Sequence, residues 1–187
     1  VSGISITGTD AANYQLASTT ATTTADITSR PITVTAAVNT KTYDRTRSAA
    51  ATPTVTSGTL AAGDAGSFTE TYDSANVGTS KTLTPTGTVK DAGDVDVTSN
   101  YTITFSAANT GVIHPKSLTV TGVAASGKVY DGTTAASLSF AGASLVGVIS
   151  PDAVTIVSTS AAGAFADKAV GAAKAVTVTG VSLGGAD

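Results

Sequence analysis

The chain has 187 residues, a formal net charge of −3 and no Cys, Met or Trp. Without cysteine there is no disulfide framework, thiol nucleophile or zinc ribbon, and the single histidine, His114, excludes a multi-histidine metal site. The slightly negative charge argues against nucleic acid as a partner, and no apolar run is long enough to insert into a membrane.

Only 12% of the residues are charged, and threonine and valine are frequent. Both residues are β-branched and suit the pleated, half-buried surface of a strand. Disordered chains usually carry more charge and fewer aliphatic residues. The composition therefore predicts an ordered, all-β protein in which threonine gives the exposed strand faces a polar surface.

Short strands separated by Gly, Asp and Asn are predicted along the chain. Apolar and polar residues alternate over residues 32–38, 82–86, 101–105 and 175–179, which is the pattern of strands with one buried face. Pro85 cannot donate a hydrogen bond to a neighbouring strand, so we expect its strand at a sheet edge or at a bulge.

Glycines and turn residues punctuate these strands. In the recurrent pattern Val-x-Gly-Val/Ile, found at Gly3, Gly122 and Gly180, the apolar phase shifts by one residue, as it does at a β-bulge. Helical periodicity is weak throughout. Residues 60–66 and 148–153 are the best candidates for a single helical turn, so we expect at most one such turn per module.

The sequence repeats itself. Two pairs recur 87 residues later: Tyr43-Asp44 as Tyr130-Asp131, and Asn13-Tyr14 as Asn100-Tyr101. Residues 78–84 resemble residues 171–177, which are 93 positions away. The larger offset predicts about six extra residues in the second copy, in a loop between Phe140 and Phe165.

The repeats divide the chain into three parts. Residues 31–115 form a complete module, residues 1–30 are the closing strands of a preceding module, and residues 116–187 are an incomplete second module that lacks about two strands. The junctions at Pro31 and Pro115 are short and stiff, because proline fixes its own φ and restricts the preceding residue. We therefore expect a linear string of small β modules.

Residues 128–134 read Lys-Val-Tyr-Asp-Gly-Thr-Thr, and they are followed by Ala-Asp-Lys-Ala-Val-Gly over residues 166–171. With Asn100-Tyr101, these motifs resemble the YDG-type repeats of large bacterial surface adhesins of the filamentous-haemagglutinin-like kind. The first copy departs from the motif, because Arg45 stands where the second copy has Gly132. The resemblance implies a small β-rich module, either a sandwich or a grasp-like sheet, on the bacterial cell surface.

The Tyr-Asp pair is the most prominent candidate site, and it has two interpretations. It could contact sugars, or the tyrosine could pack on the core while the aspartate caps the following turn. The structural interpretation is favoured for Tyr43-Asp44 and Tyr130-Asp131, because a structural staple must recur in every copy whereas a binding site need not. If Gly132 requires a positive φ, Arg45 is strained at the equivalent position.

Asp91, Asp94 and Asp96 are weak candidates for calcium ligands, since carboxylate oxygens are what Ca²⁺ prefers. Their spacing does not match an EF-hand loop, and Lys90 adjoins them. We expect a solvated acidic loop at this position.

Two covalent modifications are also open on sequence grounds. Residues 100–102 form an N-glycosylation acceptor sequence, although the repeat partner at Asn13 lacks the hydroxyl residue. An isopeptide cross-link would need a buried Lys, Asn and acidic residue together, which the sequence by itself does not show. His114 lies at a module junction without a nearby carboxylate in sequence, so we expect a surface or hinge residue.

The favoured function is a non-enzymatic, extracellular spacer without a cofactor. No nucleophile elbow, phosphate loop or paired-carboxylate motif stands out. The expected partners are neighbouring copies or modules, head-to-tail, and strand complementation would build a filament. The alternative is a module that binds glycans or a host surface, for which few aromatic residues are available.

Overall fold

The structure, a computed structural model, describes residues 1–186. It is nearly all-β, as predicted, and none of the described helical segments is long and apolar enough to cross a membrane. The strands of residues 1–186 are β1 (Arg30–Thr35), β2 (Thr40–Thr42), β3 (Thr54–Ser57), β4 (Ala65–Tyr72), β5 (Gly78–Lys90), β6 (Tyr101–Ser106), β7 (Ala108–His114), β8 (Thr119–Thr121), β9 (Ala124–Ala125), β10 (Ala135–Ala136), β11 (Leu138–Ser139), β12 (Ser144–Val146), β13 (Val154–Val157), β14 (Ala162–Phe165), β15 (Val176–Thr179) and β16 (Ser182–Gly185).

Two small sheets make up the first module. In one, β1 lies between β3 and β6, antiparallel to β3 and parallel to β6. The other has the order β2-β7-β5-β4, in which β2 is parallel to β7 and the remaining neighbours are antiparallel. The sheets pack against each other as a small sandwich, because Ile32 and Val34 of β1 share a buried cluster with Phe68 and Val89 of the second sheet.

The buried core lies in the first module. Cluster 1 consists of Ile32, Val34, Phe68, Val89 and Tyr101. Cluster 2 consists of Tyr72, Leu83 and Ile113. In the second module, the described apolar side chains are half-buried or exposed, so the two modules differ in the amount of apolar surface that holds them together.

The first predicted strand ends earlier than its apolar alternation suggests. β1 stops at Thr35, and Val38 is exposed. The chain turns away because the amide of Ala37 donates a hydrogen bond to the Glu70 carboxylate (2.8 Å) instead of to a neighbouring strand. A side-chain acceptor has replaced the sheet ladder at this point.

Pro85 occupies the edge position that the sequence predicts. It lies opposite Glu70 in the β4–β5 hairpin, whereas the pairing of β5 with β7 ends at Leu83. At Pro85, β5 is therefore still paired with β4 but no longer with β7, and proline is tolerated at such an edge.

The second module repeats the plan of the first with shorter strands. β8 pairs with β12 as β1 pairs with β3. The bridge between Ser48 and Thr71 corresponds to the pair Ala135 and Ala164. The first members of these pairs are 87 residues apart and the second members 93, so the predicted extra residues lie between them.

In the second module, the extra residues divide the counterpart of the long β4–β5 hairpin into two parts. β13 and β14 replace β4, with a turn between them in which the Ala161 amide donates to the Ser158 carbonyl (3.0 Å). β15 and β16 replace β5 and are separated around Gly180. This division leaves two short ladders, and it is one reason why the second module buries less of its surface.

Gly122 and Gly180 are required where the chain passes from one sheet to another. Their φ angles are +75° and +74°, and a Cβ would collide with the carbonyl oxygen of Gly142 or of Ser160. The need for glycine is confirmed. The predicted bulges are wrong, however, because the segments on either side pair with different strands.

The helical turns do not lie where the sequence predicts them. Single 3₁₀ turns form at Ala11–Asn13 and Thr98–Asn100. Residues 60–66 and 148–153 make hydrogen-bonded turns without a helix. Their closing bonds run from the Asp64 amide to the Ala61 carbonyl (3.1 Å) and from the Asp152 amide to the Ile149 carbonyl (2.8 Å). Gly63 has a φ of +91°, which is outside the helical range and ends the turn.

Residues 1–28, which we call the N-terminal arm, are bonded within themselves. The Ile4 amide donates to the Thr19 carbonyl (3.3 Å) and the Ala21 amide to the Val1 carbonyl (3.1 Å). Tyr14 and Ile27 of the arm are exposed. The arm precedes β1 and has the sequence pattern of β6 and β7 in the first module.

Candidate functional site

The Tyr-Asp motif forms a hydrogen-bonded turn in the first module. Asp44 Oδ1 accepts hydrogen bonds from the Thr46 amide (2.8 Å), the Thr46 hydroxyl (2.9 Å) and Lys41 Nζ (2.8 Å). These bonds, above all the one from Lys41, lower the pKa of Asp44 to about 2. The aspartate caps its turn, as the structural interpretation expected.

The same turn recurs in the second module. Asp131 Oδ1 accepts hydrogen bonds from the Thr133 amide, the Thr133 hydroxyl and Lys128 Nζ, each at 2.9 Å. The bond from Lys128 is again the main reason why the pKa of Asp131 falls to about 2. The lysine belongs to the repeated sequence motif, but only the structure shows that it is the charge partner of the aspartate.

The residue after the aspartate has a positive φ in both modules. Gly132 has a φ of +77° and Arg45 a φ of +67°. The expectation that Arg45 is strained is confirmed in this sense, because a side chain at such φ costs about 1 kcal/mol.

The two motif tyrosines differ in their surroundings. Tyr43 is half-buried and packs against cluster 2, whereas Tyr130 is 60% exposed. The expectation that both tyrosines pack on a core is therefore wrong for Tyr130. The cause is that the second module has no described equivalent of Ile113, which completes the cluster beside Tyr43.

Asp152 connects the two modules. Its side chain is only 7% exposed, its Oδ2 accepts a hydrogen bond from the Tyr43 hydroxyl (2.8 Å), and its Oδ1 lies 3.2 Å from Arg45 Nε. Both partners belong to the motif turn of the first module. The turn is thus a contact to the next module as well as a local cap.

The first module has an aspartate equivalent to Asp152, and its hydrogen-bond partner belongs to the same module. Asp64, like Asp152, closes a hydrogen-bonded turn just before the β4-type strand. The Tyr101 hydroxyl donates to Asp64 Oδ2 (2.6 Å) and accepts from the Ala61 amide (2.9 Å). The bond to Asp64 raises the pKa of Tyr101. Asp152 of the second module is thus bound by Tyr43 of the first module, whereas Asp64 is bound by Tyr101 of its own module.

A cavity of about 530 Å³ lies on the second module beside β15. Its lining includes Lys128, Tyr130, Phe165 and Val176. The repeat places Phe165 and Val176 at the positions of Tyr72 and Leu83, which pack on Ile113 of β7 in the first module. We call this the β7 cavity, because it lies where a strand like β7 would contribute its apolar side chain.

A second cavity, of about 700 Å³, lies beside β8 at the junction of the modules. Its lining includes Tyr43, Leu118, Asp152 and Leu183. The repeat places Leu118 at the position of Ile32, which packs with Tyr101 of β6 in the first module. We call this the β6 cavity.

Asn13 and Asn100 close the 3₁₀ turns. Their amides donate to the carbonyls of Asp10 (3.0 Å) and Val97 (2.9 Å). Each turn leads directly into the tyrosine of its Asn-Tyr pair. His114 is the exposed last residue of β7, and its carbonyl accepts a hydrogen bond from the Tyr43 amide (2.8 Å).

A second lysine–aspartate pair spans the β4–β5 hairpin. Lys81 Nζ lies 3.0 Å from Asp73 Oδ1, and in the second copy Lys174 pairs with Asp167. In each module the lysine lowers the pKa of the aspartate. This pairing was not predicted from the sequence, although the recurrence of Lys81 as Lys174, 93 residues later, is a usable signal.

Lys81, Asn39 and Glu70 are the buried polar residues among those described. Lys81 also donates to the Ser74 hydroxyl (2.6 Å), and Asn39 accepts from the Tyr72 hydroxyl (2.9 Å). An isopeptide bond would have to displace these partners. Burial raises the pKa of Glu70, whose Oε1 has no hydrogen-bond partner.

The calcium candidates form turn contacts with their own neighbours. Asp91 accepts from the amides of Gly93 and Val95, Asp96 accepts from the Thr98 amide, and Asp94 pairs with Lys90 (2.8 Å). Within residues 1–186 they do not form a group that could hold a metal ion.

These features define a class of protein: a tandem repeat of small β modules, each held by a Lys-x-Tyr-Asp turn. The YDG domain family matches residues 28–111 and 114–187, so the chain belongs to that family, with two tandem copies. No similar curated protein and no similar solved structure was found.

Proposed function

We propose that the chain is a non-enzymatic structural repeat of an extracellular bacterial adhesin, in which YDG modules act as rigid spacers. The observation that carries the proposal is that the motif turn of one module contacts the next module. Its polar groups are bonded inside the turn, and its two outward-reaching side chains, Tyr43 and Arg45, bind Asp152 of the next module. A repeated fold in which one module contacts the next is what a stalk requires.

The junction supports a fixed orientation of the modules. Only a short segment around Pro115 separates β7 from β8. The almost buried carboxylate of Asp152 adds a second attachment, because it contacts Tyr43 and Arg45 of the first module. Two attachments restrict the relative rotation of neighbouring modules more than a linker does, so we propose a straight, head-to-tail arrangement of the modules.

Distances between spin labels test the rigidity. The chain has no Cys, so single cysteines at Thr56 and Ser139 can carry the labels without background. We expect a narrow distance distribution for the labelled chain and a broader one after Asp152→Ala, with Asp26→Ala in the arm as the matched control. A distribution that is already broad before the substitution contradicts a rigid spacer. Surface labelling of intact source cells with antibodies against the chain tests the location.

Glycan or host-surface binding is the second candidate. Tyr130 is 60% exposed and lines the β7 cavity together with Phe165, and sugar rings stack on aromatic faces. A glycan array probed with the chain and with Tyr130→Ala tests this function. Binding that the substitution abolishes would favour an adhesive module over a pure spacer.

A further inference from the structure

The first and the last strands of the first module are paired with each other in parallel. Tension along the chain acts on β1 at Arg30, which follows the N-terminal arm, and on β7 at His114, which precedes the second module. β1 runs parallel to β6, beginning with Arg30 opposite Tyr101. β2 runs parallel to β7 and lies opposite residues 112–114. The two strands that open the module therefore lie beside the two strands that close it.

Hydrogen bonds connect these strands also where they pass together from one sheet to the other. After β1, the Ala36 amide donates to the carbonyl of the last residue of β6 (3.0 Å), and the Val112 amide donates to the Asn39 carbonyl (3.0 Å). After β2, the Tyr43 amide donates to the carbonyl of the last residue of β7 (2.8 Å). We call the two paired segments, residues 30–43 and 101–114, the parallel clamp.

The direction of the strands decides how tension acts on the parallel clamp. Pulling β1 from its beginning and β7 from its end slides the two segments past each other along their length. Because the hydrogen bonds of a parallel ladder are evenly spaced along the strands, they are strained together under this sliding motion. An antiparallel hairpin pulled at its open end behaves differently, because its residue pairs separate one after another.

Buried side chains protect the parallel clamp from water. β1 and β7 are inner strands of their sheets, with a neighbour on each side. Ile32 and Val34 of β1 and Ile113 of β7 are at most 3% exposed. Hydrogen bonds in such surroundings are stronger than those in water, which competes for the same groups. The two strands on which tension acts directly are thus the best enclosed ones.

The motif turn holds the end of the parallel clamp. Lys41 of β2 donates to Asp44 Oδ1 (2.8 Å) and to the carbonyl oxygens of Thr46 (2.7 Å) and Ser48 (3.0 Å). Its ammonium group lies 5.2 Å from the centre of the Tyr72 ring of β4, a distance at which a cation and an aromatic face attract each other. Because Ser48 also forms a bridge to β4, Lys41 ties β2 to a strand other than β7.

We propose that the first module is a force-bearing tether, in which the parallel clamp resists tension along the chain and the motif turn keeps β2 in place while β7 is pulled. This role goes beyond the proposed spacer and does not depend on it. A spacer needs a fixed orientation relative to its neighbour, whereas a tether has to remain folded under tension.

Pulling the full chain in two directions with optical tweezers tests the proposal. The chain has no Cys, so pairs of introduced cysteines can carry the DNA handles. Thr28→Cys with Ser117→Cys pulls along the parallel clamp, and Ala65→Cys with Ala92→Cys pulls the β4–β5 hairpin at its open end. All four side chains are exposed.

The rate of unfolding at equal force is the quantity to compare. We expect unfolding to be at least about tenfold slower along the parallel clamp, because several hydrogen bonds must break together instead of one at a time. Equal rates in the two directions, or faster unfolding along the clamp, overturn the proposal.

Substitution of Lys41 tests the motif turn. Lys41→Met keeps most of the apolar stem of the side chain and removes its charged hydrogen bonds, so unfolding along the parallel clamp should become about tenfold faster. The hairpin direction should be affected less, because Tyr72 lies at the opposite end of β4 from the pulled residue. Lys128→Met is the matched control, since it changes the same turn of the second module outside the pulled segment.

The outcomes for the tether and for the spacer are distinguishable. Equal acceleration by Lys41→Met in both directions would show that Lys41 stabilises the fold in general, and it would contradict the role of the motif turn in the clamp. The label distances are measured without force. A module that unfolds easily along the clamp therefore leaves the rigid spacer standing, whereas a broad label distribution leaves the tether standing.

Discussion

The Tyr43 hydroxyl of the first module donates a 2.8 Å hydrogen bond to the Asp152 carboxylate of the second. Asp152 is almost buried, so this bond acts in a setting where a charged hydrogen bond contributes more than it does in water. The motif tyrosine of one module thereby supports the next.

Substitution of Tyr43 should destabilise the second module more than the first. We expect Tyr43→Phe to cost about 1 kcal/mol of unfolding free energy in the second module, measured by hydrogen exchange of the amides of β12 and β13. Tyr130→Phe is the matched control, since this tyrosine is exposed. Equal effects of the two substitutions would show that the hydroxyl of Tyr43 contributes nothing to the junction.

Arg45→Gly should relieve backbone strain in the first module and remove a contact to Asp152 of the second. Its φ of +67° suits glycine, so the first module should gain about 1 kcal/mol. The lost contact to Asp152 is half-exposed on the arginine side and should cost the second module less than 1 kcal/mol. Urea unfolding with one fluorescent label in each module checks both effects, and a destabilised first module would contradict the prediction.

Acid should weaken both motif turns. The folded pKa of Asp44 and of Asp131 is about 2, against an ordinary value of 3.8. A depressed folded pKa means that the stabilisation is complete above pH 3.8 and is lost as the pH falls to about 2. The urea midpoint should therefore fall within this window, and it should fall less in the double variant Asp44→Asn, Asp131→Asn. An unchanged pH profile in that variant would exclude the two aspartates as the cause.

Glu70→Gln should stabilise the first module at neutral pH. The carboxylate is buried, one of its oxygens has no hydrogen-bond partner, and its pKa is raised. For a raised carboxyl pKa, the cost of the ionised form is present above the folded value and is relieved as the pH falls through it. We expect a gain of about 1 kcal/mol at pH 7 that shrinks in acid. A loss of stability at pH 7 would contradict the prediction, because it would mean that the ionised Glu70 carboxylate has a stabilising partner when the protein is in solution.

The first module should fold alone, and the second should depend on its neighbours. A fragment of residues 31–115 contains both buried clusters, so it should unfold in one cooperative transition. Residues 116–187 contain no fully buried apolar residue among those described. As a separate fragment, they should exchange most amides rapidly. Slow exchange throughout that fragment would contradict the difference between the modules.

The sequence by itself determined the repeat, the all-β class and the local turns. The Asp44 and Asp131 turns close over two to three residues, and such short-range bonds depend mainly on the residues present. The need for glycine at Gly122 and Gly180 was visible for the same reason.

Only the tertiary structure decided how these pieces meet. Tyr43 and Asp152 are far apart in the sequence, and no periodic pattern encodes their contact. The end of β1 at Thr35 depends on Glu70 of another strand, and the exposure of Tyr130 depends on strands that the described second module does not contain. Local hydrogen bonds follow from neighbouring residues, whereas burial and contacts between modules follow from which distant strands are present to pack.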